Sequence, residues 1–125
     1  MRNGLFKKHI PRVYQNTCCF TGMQITGAKV KSMVDACHII PFSQTQDDRI
    51  TNGPALSPTM HRAFDQGLIT VYENYHMVVT NAYDESTNAD HGLKKLHERP
   101  ILLPENKRHS PSQENLDWHR GEEFR

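Results

Sequence analysis

The chain reads DACHIIP at residues 35–41, NG at residues 52–53 and HRAFD at residues 61–65, and this segment decides how the fold is organised. It contains two histidines, a loop asparagine and two acidic residues, which are side chains that metal-assisted hydrolysis uses. Several positions in residues 32–40 are apolar or β-branched, and Pro41 follows them. This pattern predicts a strand that ends near residue 40, because proline cannot donate to a sheet ladder.

The residues after this strand predict a loop and then a short helix. Residues 43–53 are polar and end in Asn-Gly, which is typical of a loop. Ser57 followed by Pro58 indicates a helix start, since serine can cap free backbone N–H groups and proline fits the first helical position. Gly67 is expected to end this helix in a left-handed conformation. The predicted order is therefore strand, loop, helix.

The helical spacing places two polar side chains on one face of the predicted helix. His61 and Asp65 are four residues apart, so they share that face. If the end of the strand lies opposite, Asp35 and His38 face the same space. Four polar side chains would then surround one point.

At these positions the chain resembles the HNH (ββα-metal) endonuclease family. The residues that match the family motif are His38, Asn52 and His61, at intervals typical of it. The flanking sequence resembles a branch that includes bacterial restriction-type nucleases, and the matching runs are CFTG at 19–22, HIIP at 38–41, HRAFDQGL at 61–68 and LDWHR at 116–120. The resemblance is strong over residues 17–68 and weak elsewhere.

The resemblance and the local patterns together predict an α+β fold in a single domain over residues 1–125. Its ββα-metal core, two short strands plus one helix, covers about residues 17–68, with residues 17–20 forming the strand that pairs with residues 32–40. The other predicted elements are an amphipathic helix over residues 5–15, a hairpin over residues 68–80 and a C-terminal helix over about residues 111–124. In that last helix we expect Leu116 and Trp118 to pack, while His119 and Arg120 project elsewhere.

The resemblance implies a metal-dependent endonuclease that hydrolyses DNA phosphodiester bonds, with His38, Asn52 and His61 as its catalytic residues. His38 is the candidate base that activates water, because an imidazole with a pKa near ~6.5 suits that task. By family analogy Asn52 orients His38 or the loop, and in some members its amide oxygen also reaches the metal. His61, Asp35 and Asp65 are the other candidate ligands of one divalent ion, which is Mg²⁺, Mn²⁺, Zn²⁺ or Ni²⁺.

Cys37 departs from the family pattern. Many members carry an acidic or histidine ligand immediately before the base, and here that position holds a cysteine. A thiolate ligand would favour zinc over magnesium. Because side chains alternate along a strand, Cys37 should point away from the face that carries His38, so we expect it in the core.

Each candidate residue also has a purely structural interpretation. His38 could be a hydrogen-bonded histidine at a strand end, and Asn52 before glycine is a turn pair in most proteins. Asp65 could bond to loop backbone at the end of its helix. Arg62 and Arg120 could contact phosphate or could simply be exposed to solvent.

Charge and cysteine content bound the setting in which the chain works. Lys and Arg number 15 against 14 Asp and Glu, a net charge of +1, whereas strong DNA-binding domains are usually basic. We therefore expect target recognition to come from another domain or subunit, and a homodimer is plausible because cutting two strands needs two sites. Three cysteines without a CxxC pair and the absence of a long apolar run predict a cytoplasmic protein without a membrane segment, and the family resemblance implies a bacterial or phage source.

Two other functions remain open at this point. The same chemistry could serve an RNA-cleaving or toxin nuclease, since nothing in the sequence recognises a 2′-hydroxyl group. A non-catalytic zinc or nucleic-acid-binding module is the other alternative, but such a module should have lost the base, and His38 is retained.

Overall fold

The computed structural model of the chain describes residues 5–29, 32–85 and 92–125. Short helices and two small antiparallel sheets make up the fold, which confirms the predicted α+β class. The elements in chain order are α1 (Leu5–Val13), β1 (Asp35–Ala36), α2 (Phe42–Thr45), β2 (Ala55–Leu56), α3 (Pro58–Asp65), β3 (Ile69–Val71), β4 (Met77–Val79) and α4 (Gln113–Glu122).

The ββα unit consists of β1, β2 and α3. Asp35 pairs with Leu56 and Ala36 pairs with Ala55, so the two strands flank the loop of residues 37–54. Two further backbone bonds continue the pairing into that loop, from Cys37 N to Pro54 O at 3.1 Å and from Ile39 N to Asn52 O at 2.8 Å. His38 therefore lies at the start of this loop, between two residues whose backbone is hydrogen-bonded to the other end of the loop.

The predicted pairing of residues 17–20 with the strand of residues 32–40 was wrong. Residues 17–20 do not pair with residues 32–40; Thr17 forms an isolated bridge with Gln24, and Cys19 N donates to Ala55 O at 2.9 Å. Ala55 and Leu56 lie between a proline and a helix start, and two residues are too short for a sequence pattern to indicate a strand. Tertiary pairing alone makes them one.

Helix α3 begins and ends where its sequence predicts. Pro58 is its first residue, although the Ser57 side chain makes no capping bond, contrary to the prediction. Met60, Ala63 and Phe64 are buried on one face. Gly67 follows in the left-handed region with φ of 75°, as expected.

The hairpin and the last helix pack against this unit from one side. Strands β3 and β4 pair in the register Ile69 to Val79. Helix α4 starts after Ser112, whose side chain accepts a bond from Asn115 N, and it contacts β3. Leu116 is buried as predicted, but His119 is buried too, so the expectation that His119 projects from the fold was wrong.

The N-terminal helix completes the core and reaches the loop that carries His38. Phe6, Ile10 and Pro11 of α1 are buried, and the helix packs on β1. A side chain at Gly53 would collide with the Phe6 ring, so glycine at this position is what lets α1 approach the loop. No helix among the described residues has both the length and the apolar character needed to cross a membrane.

We predict that Gly67→Ala destabilises the fold by about 1–3 kcal/mol, because alanine is strained at a positive φ. Its methyl group would also meet the backbone of Glu123 near the end of the chain. Gly121→Ala is the matched control: nothing lies within 4 Å of its added methyl group, and alanine favours a helix. Chemical denaturation of both variants measures the difference, and equal midpoints would contradict the assignment.

Candidate active site

A cleft of about 580 Å³ lies between α1, the loop after β1, and α3. Its size is in the range of ligand sites in enzymes. The polar side chains that line it include four of the ionisable residues discussed below, namely His38, Asp48, His61 and Asp65, together with Lys7. The structure thus brings both motif histidines to one cavity.

His38 is held on two sides by aromatic rings and at one nitrogen by a carboxylate. Its ring stacks on Phe6 with centroids 4.0 Å apart and lies tilted against Phe42 at 5.7 Å. Its Nε2 is 2.7 Å from Asp48 Oδ1. Since a carboxylate only accepts, Nε2 donates this bond, and the unprotonated nitrogen of the neutral ring is Nδ1.

Asp48 is a site residue that sequence reasoning missed. The Asp47-Asp48 pair looks like ordinary loop chemistry, and a separation of ten residues from His38 matches no helical or strand period. Only the closure of the loop brings the two side chains together.

Asn52 closes that loop. Its side chain is completely buried and makes four hydrogen bonds: Oδ1 accepts from Ile40 N and Asn115 Nδ2, and Nδ2 donates to the carbonyls of Ile40 and Asp47. Both lone pairs of the oxygen are used. These contacts fit the implied role of orienting the loop, whereas a metal contact from this oxygen is not supported by them.

His61 lies between two carboxylates. Its Nδ1 is 3.0 Å from Asp35 Oδ2, and its Nε2 is 3.2 Å from Asp65 Oδ2. The bond to Asp65 and then the bond to Asp35 raise the pKa of His61 to about 9 in the absence of a cation. An imidazole ligates one cation through one nitrogen, so in this orientation Asp35 and Asp65 cannot both share a single ion with His61.

Cys37 lies next to the face of α3 that carries His61 and Asp65. It is completely buried in the core, as predicted, but its Sγ is 3.8 Å from Asp65 Oδ1. Burial and the charge of Asp65 raise the pKa of this thiol well above its usual value. One donor atom each from Cys37, His61 and Asp65 lie within 4.8 Å of one another. Imidazole, carboxylate and thiol are suitable donors for a divalent transition metal, so these residues fit the ion that the motif implies.

His119 also lines the cleft, and the sequence predicted no role for it there. Its ring stacks on Phe64 at 3.7 Å, its Nε2 donates to Phe64 O at 2.8 Å, and its Nδ1 is 2.7 Å from Thr70 Oγ1. Burial lowers the pKa of His119 to about 4. The residue is therefore a neutral structural link between α3, β3 and α4.

The two arginines predicted to contact nucleic acid lie outside the lining of this cleft. Arg62 is exposed on α3. Arg120 is engaged within the fold, where its guanidinium donates to Val71 O at 2.7 Å and lies over the Tyr72 ring. That position argues against a phosphate contact by Arg120. Lys7, from the first helix, is the basic side chain at the cleft.

Comparison with known proteins shows which family and which fold the chain is similar to. Residues 18–72 match the family model described as HNH endonuclease. Among solved structures, the chain is similar to one described as a modification dependent TagI restriction endonuclease, with a TM-score of 0.72 and 19% identity. The match covers 96% of this chain and 38% of that one, and at such identity it establishes the fold. No curated protein matches the chain.

The match over residues 18–72 confirms the resemblance to HNH endonucleases that was inferred from the motif. The chain spans about two fifths of the restriction endonuclease that it resembles.

We predict that acid destabilises the protein partly through His119. Because its folded pKa of about 4 lies below the ordinary value of 6.5, the unfolded state binds the extra proton first as the pH falls. The stabilising contribution of neutral His119 should be complete above pH 6.5. At pH 5 the free energy of unfolding should be lower by about 2 kcal/mol because of this group alone. Denaturation of the wild type and His119→Gln between pH 7 and 5 isolates this contribution, since other titrating groups are common to both. Parallel pH profiles would contradict it.

Replacing Asn52 should be costly for the whole domain. In Asn52→Ala the backbone of Ile40, the carbonyl of Asp47 and the amide of Asn115 lose their partner, and we expect a loss of at least about 2–3 kcal/mol. Asn74→Ala is the control, because Asn74 is exposed and accepts a local turn bond from His76 N. Comparable losses in the two variants would mean that Asn52 is not the closing contact.

Proposed function

We propose that this domain is a metal-dependent endonuclease that hydrolyses phosphodiester bonds in DNA. The observation that carries the proposal is the placement of His38, hydrogen-bonded to Asp48, in the same cleft as His61 and Asp65 within the HNH segment. A DNA substrate is proposed because the structural neighbour is described as a restriction endonuclease.

His38 acts as the general base in this proposal. Its Nδ1 takes a proton from the attacking water as the new phosphorus–oxygen bond forms and the bond to the leaving oxygen breaks. The ring then carries a positive charge, which the Asp48 carboxylate at Nε2 stabilises. Stacking on Phe6 limits rotation of the ring, so the base stays aligned.

The cation is assigned to the other wall of the cleft. His61 with a neighbouring carboxylate, Asp65 or Asp35, would hold it. When bound, a divalent ion neutralises charge on the phosphate and assists the leaving oxygen. Asn52 is assigned to holding the His38 loop in place, and not to ligation.

Recognition of a target is assigned to parts outside this domain. The net charge of +1 provides little general attraction for DNA. A cleft with one base serves one strand at a time, so cutting both strands would require a second copy or two successive events.

Nicking of supercoiled plasmid by the purified chain tests the function directly. We expect conversion to open circles with a divalent ion, none with EDTA, and a loss of at least about 100-fold in His38→Ala, the low end of what a general base contributes. A folded wild type that leaves plasmid intact with Mg²⁺, Mn²⁺, Zn²⁺ and Ni²⁺ would contradict the proposal. Cleavage of RNA in place of DNA would correct the substrate.

Asp48 should act on the rate and not on substrate binding. Asp48→Asn keeps an oxygen that accepts from His38 Nε2 but removes the charge, so we expect kcat to fall with KM unchanged. Asp48→Ala, which removes orientation as well, should lower kcat further. Asp47→Asn is the control, because Asp47 pairs with Arg49 and not with the base. Single-turnover nicking rates of the wild type and the three variants measure this ranking. Equal rates for all of them would show that Asp48 has no part in the mechanism.

Lys7 is proposed to contact the phosphate backbone at the entrance of the cleft. Lys7→Ala should weaken DNA binding and reduce the slope of log K against log salt by about 1. Lys8→Ala on the same helix is the matched control, since both lysines are exposed but only Lys7 lines the cleft. Binding to a short duplex across a salt series measures both, and equal slopes for the two variants would contradict the contact.

A further inference from the structure

Cys37 occupies an unusual position for a core cysteine. The three cysteines are all buried. Cys37 is the one whose sulfur belongs, with His61 and Asp65, to a group of donor atoms close enough to surround one ion. Its Sγ lies 3.8 Å from Asp65 Oδ1 and 3.7 Å from the His38 carbonyl oxygen, so the sulfur faces oxygen atoms of the site as well as the core.

The separations between these donors suit a tetrahedral ion. With about 2.3 Å to sulfur and about 2.0–2.2 Å to nitrogen or oxygen, two donors at a tetrahedral angle lie about 3.3–3.7 Å apart. The observed separations are 3.2 Å from His61 Nε2 to Asp65 Oδ2 and 3.8 Å from Cys37 Sγ to Asp65 Oδ1. The two oxygens of Asp65 each face one neighbour, and donor atoms of Cys37, His61 and Asp65 all lie within 4.8 Å of one another.

Asp35 supplies a second and independent observation. It holds His61 Nδ1 at 3.0 Å, on the side of the ring opposite Asp65. Histidines that ligate a metal usually donate their other nitrogen to a carboxylate, which fixes the tautomer and turns the free nitrogen toward the ion. The cleft is lined by Asp65 and His38 but not by Asp35. The side of His61 that faces the base is therefore its Nε2 side.

We propose that Cys37 ligates the ion of this domain through its sulfur, together with His61 Nε2 and Asp65, and that Asp35 orients His61 from outside the ligand set. A site with one sulfur, one imidazole and one carboxylate selects Zn²⁺ or Co²⁺ over Mg²⁺, because hard magnesium avoids sulfur and prefers oxygen ligands. This inference rests on the proposed function for its context, but it concerns the ligands and can be tested without activity.

Titration of the purified chain with Co²⁺ alone is the test, since cobalt reports its ligands by absorption. We expect one ion per chain, the intense visible bands of a tetrahedral site, and a near-ultraviolet thiolate-to-cobalt charge-transfer band. Zn²⁺ should displace the cobalt and abolish these bands, while a large excess of Mg²⁺ should not. Weak octahedral absorption without a charge-transfer band, or no binding, would overturn the proposal.

Variants assign the sulfur. Cys37→Ser should lose the charge-transfer band and weaken Co²⁺ binding by more than about tenfold, since even the loss of an outer partner of a ligand costs that much. Cys18→Ser is the matched control, a buried cysteine outside the donor group, and should keep the band. Asp35→Asn should keep the band and bind more weakly, whereas loss of the band on Asp35→Asn, or its persistence in Cys37→Ser, would overturn the assignment.

Two measurements keep the outcome clear. If Cys37→Ser fails to fold, X-ray absorption of the zinc-loaded wild type decides, because one sulfur at about 2.3 Å is required and a shell of nitrogen and oxygen alone refutes it. Plasmid nicking is scored separately. Nicking with Mg²⁺ and no sulfur signal would refute Cys37 ligation and support the proposed endonuclease function. A sulfur signal without nicking would support Cys37 ligation and contradict the proposed function.

Discussion

The buried amide of Asn52 is the contact on which the rest of the site depends. Its oxygen and nitrogen bind both backbone groups of Ile40, so the two ends of the loop that carries His38 are joined directly. The same amide accepts from Asn115 on the last helix, across 63 residues of sequence. Because a buried polar group without partners is costly, this arrangement favours a single loop conformation. One side chain thereby ties the loop that carries His38 to the C-terminal helix.

Three histidines lie at the site, and their surroundings differ. His38 has one carboxylate partner and two aromatic neighbours, which leaves one nitrogen for proton transfer. His61 has a carboxylate at each nitrogen, which favours a positive charge at that place, either a proton or a metal ion. His119, with a carbonyl and a hydroxyl as partners, stays neutral and serves packing. The proposed roles of base, ligand and structural link therefore follow from what lies within 3.2 Å of each imidazole's nitrogens.

The chain has a small core, yet its polar site requires several side chains to be held in fixed positions. Its helices and strands are short, and the sheets have two strands each. Much of the positioning is therefore done by side-chain hydrogen bonds and by aromatic stacking, as at Phe6 on His38 and Phe64 on His119. Gly53 and Gly67 matter for the same reason, since each permits a close approach of two segments that a methyl group would prevent.

The sequence by itself determined the helix of residues 58–65, the hairpin after it, the C-terminal helix and the family motif, because these depend on local signals such as Pro58, Gly67 and the β-rich runs of the hairpin. It also determined that His61 and Asp65 share a helix face, which is a matter of spacing. Only the tertiary structure decided that β1 pairs with β2, that Asp48 meets His38, and that Cys37 faces Asp65 from the core. These contacts join residues that share no local period, so they exist only once the loop has closed and the helix has packed. The burial of His119 was also beyond the sequence, because the face that α4 presents to the core depends on where β3 lies.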